Sequence, residues 1–81
     1  MIIKIMTDTD TYSISSFKAL INNIGKPSYP NKSDKLHQLC YTNETTDTKF
    51  VWNEHELKEH GNYHTVGDVI DALMNNAFVI N

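Results

Sequence analysis

"LHQLCYTNETTDTKFVWN", residues 36–53, is the stretch on which the fold turns. Residues 49–53 are rich in strong β formers, with Phe50, Val51 and Trp52 in succession. Residues 36–42 have the length and composition of a partner strand, and the polar run 43–48 (NETTDT) between them is turn-forming. The stretch reads as a hairpin with a longish loop. The rival reading has Ser33 or Asp34 capping a short helix over 35–41. The hairpin predicts a sheet protein with helices on one side, and the helix predicts something closer to a bundle.

Working outward, residues 2–7 (IIKIMT) are β-branched-rich and too short for a helix, so they read as a first strand. Residues 8–11 form a turn, after which Ser13 is placed to cap a helix. Phe17, Leu20, Ile21 and Ile24 follow at i, i+3, i+4 and i+7, one apolar helix face. Gly25 suits the position just past the helix, and Pro27 blocks continuation. Residues 25–34 hold two prolines and a glycine and form a loop. Beyond the hairpin, residues 54–60 read as a helical turn or loop ending at Gly61. Thr65 and Asp68 then form a T-x-x-D capping box. Val66, Val69, Ile70, Leu73 and Met74 continue with helical spacing, Asn75-Asn76 ends the helix, and 77–81 (AFVIN) suit a last strand. The succession βαββαβ is that of a ferredoxin-like split βαβ, a four-stranded antiparallel sheet with two helices on one face.

With 81 residues, the chain is expected to be a single small α+β domain over 1–81. Its apolar fraction of 40% is too high for a disordered chain, and no apolar run approaches a membrane span. The first residues lack the form of a signal peptide, and Cys40 has no second cysteine to pair with. Both features lead us to expect a cytoplasmic protein. All seven basic residues are lysines, scattered and outnumbered by ten carboxylates. The absence of arginine argues against nucleic acid as a partner, and a net charge of −3 is too modest for a mimic of DNA. Asn, Ile, Lys and Tyr, whose codons are AT-rich, far outnumber Gly, Ala, Pro and Arg. That bias fits an AT-rich genome such as those of many phages and mobile elements.

The stretch 55–64 (HELKEHGNYH) holds three of the four histidines. A zinc-peptidase helix needs H-E-x-x-H, so that both histidines share a face. Here His60 follows His55 by five residues, about 140° beyond a full helical turn. Glu56 and His60 lie four apart, and with His64 they define an alternative reading, a small metal- or ligand-binding regulator. Asp8-x-Asp10 after an apolar strand resembles the nucleophile and acid pair of haloacid-dehalogenase-type phosphatases. However, Tyr12 stands where that pattern has threonine or valine. The chain is also too short for that fold, and the pair serves equally as a turn. Cys40 and His37, three apart on a strand, point to opposite faces. Phe50 and Trp52 share one strand face. On an open sheet they would stack bases, giving a second alternative, a single-stranded nucleic-acid binder. Under helices they would be core.

If Phe50 and Trp52 face the helices, alternation sends Lys49, Val51 and Asn53 the other way. Leu39 and Tyr41 then face inward, and Gln38, Cys40 and Thr42 outward. On the first strand Ile3 and Ile5 face inward, and Ile2, Lys4 and Met6 outward. The outward set, Ile2, Lys4, Met6, Gln38, Cys40, Lys49 and Val51, is too apolar for plain solvent exposure and too polar for a second core. It suits a protein partner or a homodimer. We therefore expect a non-enzymatic protein-binding module without a cofactor. On the compositional argument it would be a phage- or mobile-element-encoded modulator or inhibitor of a host protein.

Overall fold

A computed structural model describes residues 1–75. The described elements are strands β1 (Ile2–Thr7) and β2 (Thr11–Ile14), helix α1 (Phe17–Asn23), strands β3 (Leu36–Asn43) and β4 (Thr48–Trp52), and helices α2 (Glu54–Gly61) and α3 (Val66–Met74). The strands form one antiparallel sheet in the order β2-β1-β3-β4. The protein is α+β, and residues 36–53 form the hairpin, not a helix over 35–41. The tip turns with Asp47 in the left-handed region, at φ 52°.

Two departures make the succession of the described elements ββαββαα, so the ferredoxin-like βαββαβ arrangement is not confirmed. The first lies after β1. Residues 8–10 do not lead into a helix but reverse the chain into β2. Thr7 closes this turn. Its N–H and its hydroxyl both donate to the Asp10 carbonyl, at 2.9 and 3.1 Å, and its Oγ1 accepts from Asp10 N–H at 3.3 Å. Ser13, expected as a helix cap, is an outward-facing strand residue, and Ile14 pairs with Ile3. The cap is Ser16, three residues later, whose Oγ accepts from Ala19 N–H at 3.0 Å. The second departure is α2, a full helix where a turn or loop was expected. Asn53 ends the strand segment and caps this helix. Its side chain accepts from Glu56 N–H at 3.0 Å, and the Glu56 carboxylate accepts from Asn53 N–H at 3.4 Å. This is the reciprocal arrangement that satisfies orphan donors at a helix start. The expected strand over 77–81 lies outside the described residues.

The core occupies one face of the sheet. Ile3, Ile5, Ile14, Leu39 and Tyr41 are buried from the strands. Leu20, Leu57, Val66, Val69 and Ile70 cover them from the helices. Of the apolar helix positions read from the sequence, Phe17, Ile21, Ile24 and Leu73 are only half-buried, and Met74 is 64% exposed. The completely buried Leu57, on the unexpected α2, joins the core instead. Gly25 adopts φ +81°, as its place past α1 requires. Gly61 serves a different need, because a Cβ there would sit 2.1 Å from the Tyr63 ring folded over it. Burial pushes the Tyr63 phenol's pKa up. The Thr65–Asp68 capping box forms as expected. Carbonyls of Asp34 and Lys32 accept from the Val66 and Gly67 N–H groups at 3.0 and 2.8 Å, tying the long loop to the start of α3.

Candidate functional site: the open face of the sheet

The other face of the sheet has no helix over it among the described residues. Strand alternation fixes its membership. β1 contributes Ile2, Lys4 and Met6, β2 Thr11 and Ser13, β3 Gln38, Cys40 and Thr42, and β4 Lys49 and Val51. Cross-strand register arranges them in rows. Ile2, Thr42 and Lys49 form one row and Lys4, Cys40 and Val51 the next, with Met6 beside Gln38 beyond. Ile2 is 50% exposed, Met6 41% and Val51 45%, a large exposure for aliphatic side chains. The first two rows line a shallow depression of about 300 Å³. All seven residues expected on this face are there. Thr42, also expected to face outward, is the cross-strand partner of both Ile2 and Lys49.

The electrostatics of this face differ from those of the whole. Its charged residues are Lys4 and Lys49. The chain's ten carboxylates lie elsewhere, in the turns, the long loop and helices α2 and α3. A protein of net charge −3 thus presents a positive, partly apolar surface on one side.

At one end of the sheet, sequence reading missed a polar cluster. Between Met6 and Thr7 the β1–β3 register shifts, so that β3 carries one residue more than β1 does. The extra residue is His37. This bulge turns Leu36 into the core, against strict alternation, and sends the imidazole sideways. His37 Nε2 bonds the Asp8 carboxylate, and Nδ1 bonds that of Glu54 on the first turn of α2. The bond to Asp8, then that to Glu54, holds the imidazole's pKa above its usual value. The bond from His37 pulls the Asp8 carboxyl below the ordinary range. With both ring nitrogens engaged, the imidazolium is the form that can donate to both carboxylates. The two carboxylates sit at opposite edges of the ring, so the three groups do not converge on one point. Asp10 instead accepts from Thr11 N–H at 2.8 Å, and Asp8-x-Asp10 is a hairpin turn.

The histidine-rich stretch is not drawn together. Glu56 belongs to the capping box of α2, and His60 stacks on Trp52 with ring centroids 4.3 Å apart. Exposed His64 uses its backbone to bond Asp68 and Leu36. Among the described residues, no three His, Cys, Asp or Glu side chains are grouped to hold a metal ion.

Phe50 and Trp52 lie on the helix side of the sheet, half-buried in a continuous ring ladder. Phe17 stacks on Tyr41 at 5.7 Å, Tyr41 on Phe50 at 5.4 Å, and Phe50 on Trp52 at 4.3 Å. Trp52 therefore has near-parallel rings 4.3 Å away on each side, Phe50 and His60. Two rings that close cannot share one face, so both indole faces are occupied. That geometry weighs against these rings as a base-stacking platform.

No helix among the described residues is long and apolar enough to cross a membrane. Comparison with family models, curated proteins and solved structures finds no match.

Proposed function

We propose that the protein is a small, single-domain, non-enzymatic binding module that recognises another protein through the open sheet face. The observation that carries this reading is the exposure of Ile2, Met6 and Val51 on one sheet face that no other element covers among the described residues. Exposed aliphatic residues scattered singly are ordinary; these three share one sheet face, interleaved with Lys4, Cys40 and Thr42, and such a mixed patch suits a protein interface. In support, the polar clusters found have local structural partners. His37 ties the first turn to α2, Glu56 and Asp68 cap helices, and His60 completes a ring stack. The AT-rich residue usage and the small size suit a cytoplasmic modulator or inhibitor encoded by a phage or mobile element, with a host protein as its target.

The test is capture from a host-cell lysate on immobilised wild-type protein and on Met6→Glu. The expected result is one or more proteins retained by the wild type and lost by the variant, with the circular dichroism of the two unchanged. Equal capture by a folded Met6→Glu would overturn the reading.

A further inference from the structure

We infer that the open face is matched to a foreign protein surface bearing an aliphatic strip flanked by carboxylates, and not to a second copy of itself. The inference rests on the binding reading above and deepens it. Its origin is the register. Ile2, Lys49, Lys4 and Val51 occupy the four corners of the two rows, with Thr42 and Cys40 between them. The two aliphatic side chains lie on one diagonal and the two lysines on the other.

A symmetric dimer would bring this face against its own copy about a two-fold axis lying in the interface. If the axis runs along the strands, Ile2 meets Lys49 and Lys4 meets Val51. If it runs across them, Ile2 meets Lys4 and Lys49 meets Val51. Along one diagonal each lysine meets its own copy, and along the other Lys4 meets Lys49. Each of these axes through the centre of the two rows places an ammonium on an aliphatic side chain or on another ammonium, and among the described residues the face carries no carboxylate to neutralise it. Burial of an unpaired charge is costly, and lysine is depleted from interface cores for that reason.

A partner with carboxylates removes the conflict. From the spacing of strands and residues, the backbones of Lys4 and Lys49 lie about 12 Å apart across the β1–β3–β4 face. Two acids at a similar separation would pair with both lysines, while aliphatic groups between them cover Ile2 and Val51. Like-charge clashes reject wrong partners, and opposite charges set register and speed encounter.

The experiment selects peptides from a displayed random library on the full-length wild-type chain and on the double variant Lys4→Glu/Lys49→Glu, both checked for fold by circular dichroism. Bound peptides are counter-screened on Val51→Glu. The expected result is wild-type binders in which Asp or Glu flank aliphatic residues, at least tenfold weaker binding of those peptides to Val51→Glu, and a switch to Lys- or Arg-bearing peptides on the charge-reversed protein. Binders that need Val51 but show no acidic bias, or an unchanged preference after charge reversal, would overturn the inference and leave the docking face standing. Failure to recover binders that need Val51 would overturn both. Self-association of the wild-type chain in sedimentation, lost in Val51→Glu, would overturn the exclusion of a second copy.

Discussion

The two faces of this sheet are built from the same strands, one residue apart, and behave as different materials. On the covered face Ile3, Ile5 and Leu39 are no more than 1% exposed and pack under three helices. On the open face Ile2, Met6 and Val51 are roughly half exposed and alternate with lysine, threonine and glutamine. The covered face lowers the free energy of the folded chain. The open face holds apolar surface that folding leaves in water, which is why we assign it to binding. The comparison teaches that in a small domain a strand's two-residue period sets core-building and exposed positions side by side.

The largest effect is expected from placing the same substitution on adjacent residues. Ile3→Glu puts a carboxylate into the apolar core and should unfold the protein, since an unpaired buried charge costs several kcal/mol and a domain this size has little more stability than that. Ile2→Glu, one residue away, should leave the unfolding midpoint in denaturant nearly unchanged. Comparable midpoints for the two would break the comparison.

A smaller effect sharpens the covered face. Leu57→Ala empties a completely buried site on α2 and should cost about 2–5 kcal/mol. Leu73→Ala, at a half-buried position on α3, should cost clearly less. Chemical denaturation of both variants checks the order, and the reverse order would place the core elsewhere.

The smallest effect concerns the junction between the faces, where His37 bridges Asp8 and Glu54. The raised His37 value makes its contribution full below the unfolded histidine value of about 6.5 and lost as pH rises through the folded value. The lowered Asp8 value makes its contribution full above the unfolded value of about 3.9 and lost as pH falls through the folded one. The bridge should therefore help most between about pH 4 and 6.5. Thermal midpoints of wild type and His37→Gln should differ most in that window and converge as pH rises through the raised folded value. A constant difference would show that His37 acts by packing alone.

The open face was legible in the sequence because the strong hairpin and the alternation of Ile2–Ile3–Lys4–Ile5 leave only one side for each residue. The elements that were not legible lacked such local signals. β2 has four residues, two of them polar and outward, so Ser13 resembled a helix cap when the deciding feature was Thr7 closing the turn on Asp10. α2 carries one apolar residue that becomes buried, Leu57, and so shows no apolar periodicity. Its readable signal was the N-x-x-E spacing of Asn53 and Glu56. His37 depended on a bulge set by the pairing of β1 with β3, residues far apart in the chain, and no local pattern encodes that. The checkerboard of lysine and aliphatic corners needed the same non-local register.

The most direct test of the central claim, that one face is for folding and the other for binding, is capture by Val51→Glu beside wild type at matched unfolding midpoints. The account predicts an unchanged midpoint and loss of the wild type's captured protein. A lowered midpoint would mean that the open face is covered, and undiminished capture by the folded variant would mean that the protein binds elsewhere.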